Sequence, residues 1–303
     1  MEKFAQPASM DKGRSGTVTC PACGLLCDDL VVENTDGNIK VRQKGCAKSV
    51  SFFERPQQNP SPRIAGKTAD LQSAIKKTAE ILRNANQPLI AGLATEAQGM
   101  RAIMSLADRA GATLDHMNST GTIRNTLVLQ NSGWQVCTLT EVRNRVDLLV
   151  IIGTDIVSLF PRFCERYVWN EQSMFGQDTA AREVAYLGGR NIDTTPGISP
   201  KGVQPGILPC DLERLPEVTA ALRALISGKK LRAENIAGIA ASDLQKLADR
   251  LLAAKYSVVA WSAAALDFPH AELTVQNITE LVVKLNNTTR SSGLPLGGSE
   301  GDI

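Results

Sequence analysis

The sequence predicts an α/β protein, with a small cysteine-bearing unit followed by a mostly parallel, doubly wound sheet. Three observations predict it. Short apolar runs alternate with stretches of helical period, the pattern of strand–helix–strand units. One run, Leu148 to Ile152, is apolar at every position, as expected of a strand covered on both faces. Four cysteines, Cys20, Cys23, Cys27 and Cys46, precede all of this.

Met1 to Gly16 is polar and mixed in charge, and reads as a flexible lead-in rather than a secretion signal. Residues 17–63 form the cysteine unit. A triplet of thiols within eight residues plus a lone fourth suits a [4Fe–4S] cube, because each thiolate caps a separate iron corner. Zinc sites built from cysteine alone more often read as two close pairs. Zinc and an empty, reduced site remain open as alternatives. Leu30–Glu33 and Ile39–Arg42 are strand-like and flank Thr35-Asp36-Gly37-Asn38. Asp-Gly is a hairpin signal, since a tight turn needs positive φ. Pro56 to Arg63 carries Pro56, Pro60 and Pro62 and reads as a linker.

The region 64–303 is Rossmann-like, with room for two subdomains. Leu71, Ile75, Thr78 and Leu82 recur at helical spacing, and Leu89–Leu93 is a short strand. Thr95 with Gln98 forms a capping-box pattern before a helix that Gly111 ends. Thr113-Leu114 starts a further strand, and His116 to Arg124 reads as the loop after it. Val184–Leu187 and Ser257–Trp261 are strands, and helices are expected near Asp211–Ser227, Ser242–Ala253 and Glu272–Leu285. Asn191 to Pro209 holds four prolines and three glycines and reads as a loop with a contact surface.

Composition excludes several functions. The net charge of +2 gives no strong field for nucleic acid. The longest apolar run is far short of a membrane span. The expected location is the cytoplasm. Two histidines, His116 and His270, argue against histidine-rich metal sites and histidine-based triads.

Cys20-Pro21-Ala22-Cys23-Gly24-Leu25-Leu26-Cys27-Asp28-Asp29-Leu30 resembles the opening of the B subunit of formylmethanofuran dehydrogenase. Asn131 to Leu139, Glu141 to Asp147 and Phe160-Pro161-Arg162 resemble later stretches of that family, in the same order. The resemblance implies a molybdopterin-oxidoreductase-like fold, with an iron–sulfur domain at the N-terminus and a molybdenum or tungsten pterin lying across Rossmann-like domains. It also implies that Lys48 stands between cluster and pterin.

Three departures point away from redox chemistry. By alignment with the family, Gly121 occupies the place of the cysteine or selenocysteine that ligates the metal. His116 is a displaced candidate there. The turn Gly153-Thr154-Asp155-Ile156 puts a carboxylate where a phosphate-bearing cofactor approaches. Gly188-Gly189-Arg190 lacks the family's Asp-Pro-Arg-like turn, so the guanine-binding carboxylate is missing or moved. Ser292 to Gly298 resembles the start of a family segment that continues further, so a C-terminally shortened form is expected.

The expected role is a non-redox B subunit of a formyltransferase/hydrolase complex of the kind found in methylotrophic bacteria. Subunits of A, C and D type would be its partners, and formyl transfer and hydrolysis would occur on them. No catalytic residue is expected in this chain, and the molybdenum or tungsten pterin is expected to be absent. One alternative is an active formylmethanofuran dehydrogenase subunit interconverting CO2 and the formyl carrier. Another is an iron–sulfur or zinc-stapled interaction protein. Arg162 and Arg166, one helical turn apart, suit a glutamate-rich carrier tail or a partner surface.

Overall fold

The structure, a computed structural model, describes residues 15–56, 61–93 and 95–297. Most of the lead-in, part of the proline linker and Gly298 lie outside these residues. Internal contacts divide the chain into two units. The first contains Leu26–Met117 and the described residues before Cys23, and the second contains Cys23–Leu25 and the residues from Asn118 onward. The division after Met117 falls inside the 64–303 region.

In the first unit, β1 (Ser15–Val18), β2 (Leu30–Thr35) and β3 (Asn38–Gln43) form an antiparallel sheet in that order. Ser15 and Gly16, read from sequence as lead-in, are strand residues opposite Glu33 and Val32. The β2–β3 hairpin is the expected one. Its turn holds Asp36 at φ 51° and Gly37 at φ 87°, so both central residues have positive φ, which matches the twist of the flanking strands. Asn34 supports it by accepting the Gly37 amide at 3.0 Å. The helix α1 (Ala47–Phe53) follows, then a small hairpin of β4 (Arg63–Ile64) and β5 (Lys67–Thr68).

Next come α2 (Leu71–Asn84), β6 (Leu89–Leu93), α3 (Ala97–Ala110) and β7 (Thr113–His116), with β6 and β7 paired in parallel. The cap of α3 corrects the sequence reading: Glu96, not Thr95, receives the amides of Gln98 and Gly99. A carboxylate there also opposes the positive end of the helix dipole. Gly111 ends the helix at φ 63°, as expected.

The second unit contains α4 (Ser119–Ser132), α5 (Leu139–Arg145), β8 (Leu148–Ile152), α6 (Ile156–Leu159), a π-turn at Cys164–Val168, and β9 (Glu183–Leu187). It continues with β10 (Gly206–Leu208), α7 (Leu215–Ile226), a hairpin of β11 (Asn235–Ile236) and β12 (Ile239–Ala240), and α8 (Ala241–Ala253). It ends with β13 (Ser257–Ser262), α9 (Glu272–Leu285) and β14 (Ser291–Leu296). Five strands form a wholly parallel sheet in the order β10-β9-β8-β13-β14. All five residues of β8 are buried, because it is the central strand. Leu148, Val150 and Ile152 share one core with α7, α8 and α9. Each such leucine or isoleucine contributes about 1.5–3 kcal/mol by burial.

Two strands of the parallel sheet were not legible in the sequence. β10 lies inside the stretch expected to be loop, and β14 carries Gly293 and Pro295. Both are edge strands, where such residues are tolerated. A Cβ on Gly293 would stand 2.9 Å from the Trp261 ring, so the glycine lets that indole lie against β14. Trp261 and Trp134 meet edge to face at 6.1 Å, and the Trp169 indole donates to the Pro196 carbonyl at 2.7 Å. The expected loop after β7 is largely helix. Its Ser119 to Arg124 part is the start of α4, which packs on α9.

Candidate functional site

The chain winds from β8 outward through β9 and β10, then returns to add β13 and β14 on the other side. The order therefore reverses between β8 and β13. Open parallel sheets bind ligands in the crevice at the carboxyl ends of the two strands flanking such a reversal. Here those ends are Gly153-Thr154 and Ser262-Ala263.

Thr154, fully buried, stitches these ends together. Its hydroxyl donates to the Ile152 carbonyl at 2.9 Å and accepts the Ser262 amide at 2.9 Å. Leucines fill the space above. A Cβ on Gly153 would lie 2.6 Å from Leu215 Cδ1 and 2.8 Å from Leu266 Cδ2. A Cβ on Gly188, at the end of β9, would lie 2.6 Å from Leu215 Cδ2. Leu215 and Leu266 are completely buried. The two glycine turns are thus covered by the first residue of α7 and by the loop after β13.

Gly121 lies in the first turn of α4 and is buried. A Cβ there would stand 3.0 Å from the Ala264 backbone nitrogen and 3.1 Å from its Cα. Beside it is a cavity of about 280 Å³, lined by Thr122, Asn125, Thr126, Trp134 and Ala264 among others, and by no ionisable side chain among the described residues. Arg124 fixes this wall by donating to the Ala263 carbonyl at 2.8 Å and pairing with Asp267 at 3.1 Å.

The altered turns have local structural explanations. Asp155 caps α6, accepting the Ser158 amide at 3.2 Å and its hydroxyl at 2.6 Å. Arg190 donates to Asp211 at 2.8 Å, and Asp193 accepts the Thr195 amide at 3.0 Å. Arg162 corrects a sequence expectation. It is buried, and Glu165 receives its guanidinium through two bonds of 2.9 and 2.6 Å. It therefore offers no surface for a carrier tail. His116 closes β7.

Cys20 and Cys27, both buried, are drawn together by a 2.8 Å bond from the Cys20 amide to the Cys27 carbonyl. Between them Leu26 takes the left-handed conformation at φ 46°. Cys46 is the N-cap of α1, where its amide donates to Ser49 Oγ at 2.8 Å and the same hydroxyl returns a bond to the Cys46 carbonyl. Lys48 is half-buried in the first turn of that helix. Cys23 is buried and belongs with the second unit, where Tyr167 donates to the neighbouring Leu25 carbonyl at 3.2 Å. Among the described residues, no group of three or more histidine, cysteine or acidic side chains is placed to hold a metal ion.

The remaining thiols are core residues. Burial pushes Cys137 and Cys164 up to about 12, and Cys210 up to about 11. They stay protonated and unreactive near neutral pH.

No family model matches the chain. It is similar to B subunits of two kinds. It is 28% identical over 292 residues to the B subunit of tungsten-containing formylmethanofuran dehydrogenase 2 from Methanocaldococcus jannaschii, covering 93% of this chain and 66% of the relative. It is 26% identical over 246 residues to the B subunit of the formyltransferase/hydrolase complex Fhc from Methylorubrum extorquens, covering 77% of this chain and 58% of the relative. The chain thus spans 66% or less of the length of these curated relatives. In structure it is similar to a chain of the Methylorubrum extorquens FhcABCD complex, solved by X-ray crystallography with methylofuran (TM-score 0.63, 24% identity, 77% of this chain and 60% of that one). It is also similar to acetylene hydratase from Pelobacter acetylenicus (TM-score 0.63, 15% identity, 89% and 43%). These likenesses support a mixed α/β fold with a parallel sheet, shared with acetylene hydratase.

Proposed function

We propose that the chain is the non-redox B subunit of a cytoplasmic formyltransferase/hydrolase complex in tetrahydromethanopterin- and methanofuran-linked one-carbon metabolism. Formyl transfer and hydrolysis to formate take place on partner subunits of A, C and D type, and this chain supplies assembly surface. The observation that carries the reading is the filled crevice. Leu215 and Leu266 fill the space over Gly153, and Leu215 that over Gly188, at the turns where the family resemblance places the cofactor's approach. Gly121 offers no donor atom, and the Ala264 backbone, 3.0 Å from where a β-carbon would stand, crowds a cysteine in its place. The residues present do not fit a molybdenum or tungsten pterin, so no step of the proposed chemistry runs through one.

The test is metal and pterin analysis of the native complex alongside a formyl hydrolysis assay. Hydrolysis without molybdenum, tungsten or pterin is expected. Stoichiometric tungsten or molybdenum with CO2-reducing activity would overturn the reading. That outcome would favour the second one, an active formylmethanofuran dehydrogenase subunit, which is supported by the higher identity and longer coverage of the tungsten-containing relative. Iron with sulfide alone would assign the cysteines a cluster that staples a small domain lacking a large core of its own.

A further inference from the structure

The amino edge of the parallel sheet carries a feature that the crevice at its carboxyl edge does not explain. Four adjacent parallel strands, β9, β8, β13 and β14, are each entered through a cation. Arg182 precedes β9, Arg145 lies just before β8, Lys255 before β13, and Arg290 precedes β14. All four line one open cavity of about 530 Å³. With strands about 4.8 Å apart, the row extends roughly 14 Å.

The cavity is built rather than incidental. Arg182 is buried and saturated: its guanidinium donates to the carbonyls of Tyr167, Val168 and Arg143 and to the amide oxygens of Asn170 and Gln177. Those bonds fix the wall from Asn170 to Arg182. The facing wall is held by Asp147, whose carboxylate accepts the amides of Lys255 at 2.7 Å and Tyr256 at 3.0 Å. Both acidic groups of the cavity are already engaged, since Asp178 pairs with Lys201 at 2.5 Å. Arg145, Lys255 and Arg290 are exposed and have no carboxylate partner among the described residues. The Arg145 guanidinium stacks over the Phe175 ring at 4.5 Å. Phe175 and its neighbour Met174 are 58% and 75% exposed.

We infer that this edge docks an extended acidic segment of a partner polypeptide, with its carboxylates on Arg145, Lys255 and Arg290 and an apolar side chain on Phe175. Charge complementarity selects an anion, because the cavity's own acids are spent on backbone amides and on Lys201. The length of the row selects a chain over a small ion, since the three strands entered through Arg145, Lys255 and Arg290 span roughly 10 Å, about three extended residues. Exposed aromatic and methionine side chains beside arginines are the composition of interface cores. The inference stands apart from the filled crevice and does not depend on the proposed function.

The purified full chain is titrated with a short fluorescent peptide of alternating glutamate and leucine. The control peptide has glutamine for glutamate, and the competitors are free glutamate and inorganic phosphate. The acidic peptide is expected to bind, to weaken as salt rises, and to lose about tenfold in affinity in the Lys255→Glu/Arg290→Glu variant. The milder Lys255→Gln/Arg290→Gln variant is expected to lose about threefold, which keeps the test valid if the reversal disturbs folding. Equal binding of the glutamine peptide, or affinity unchanged in both variants, overturns the inference. So does displacement of the peptide by phosphate or free glutamate at equal concentration, which would make the cavity a small-anion site.

Discussion

The Leu215 side chain lies directly over Gly153, its Cδ1 2.6 Å from the point where a β-carbon on that glycine would stand. Gly153 is at φ +57°, so a side chain there meets both backbone strain and a buried methyl group. Gly153→Ala is expected to destabilise the second unit by about 1–3 kcal/mol. In a Leu215→Ala background, which itself costs about 2–5 kcal/mol, the added cost should shrink. Urea unfolding of the four proteins measures the coupling, and strict additivity would contradict the contact.

Gly121→Cys restores the residue type that the family resemblance places at the metal. The Ala264 backbone is too near for its β-carbon to enter without a shift. A loss of about 1–3 kcal/mol in thermal unfolding is expected, with no tungsten or molybdenum retained after purification. A variant that is stable and holds either metal would show that the crevice opens.

Cys164 gives the second unit an alkaline limit. Burial, with the Asp193 carboxylate adding to it, holds its thiol at about 12. An unfolded cysteine titrates near 8.5. Between these values the folded chain keeps a proton that the unfolded chain has lost. Stability is therefore full below about pH 8.5 and declines as pH rises towards 12. The melting temperature should fall less steeply over that range in Cys164→Ala than in the parent protein. Parallel profiles would rule out this thiol as a contributor.

Arg182→Met should be among the more damaging single changes, costing about 3–5 kcal/mol, because five oxygens lose their donor in a buried wall. Burial lowers this guanidinium to about 10, but it remains charged at neutral pH. Arg182→Lys should recover only part of the loss, since one ammonium group cannot reach both sides of the fork. Hydrogen exchange at Asn170 to Asp178 would report the loosened segment.

Cys23→Ser should lower the melting temperature while leaving formyl hydrolysis by the assembled complex intact. Loss of hydrolysis from a complex that still assembles would give this chain a direct part in the chemistry.

The strands β8, β9 and β13 were legible because burial on both faces demands apolar residues in nearly every position. β10 and β14 were not, because an edge strand carries little of that demand, and Gly293 answers to Trp261 across the sheet rather than to its neighbours in sequence. The start of α4, Ser119 to Arg124, falls in the segment expected to be loop, and Ser119, Thr120, Gly121 and Thr122 are poor helix formers. Its packing on α9 and the Arg124 clamp hold it in the fold. The absence of a thiol near Gly121 was visible from sequence. The leucines over Gly153 and Gly188 were not, since Leu215 is 62 positions from Gly153 along the chain. The row of cations was equally hidden, because it exists only once four separated segments are laid side by side.

The chain has three tryptophans, Trp134, Trp169 and Trp261, and all lie in the second unit. The first unit therefore contributes no indole emission of its own. An optical melting curve at that wavelength reports on the second unit, and the hairpin of β2 and β3 needs a label of its own to be seen directly.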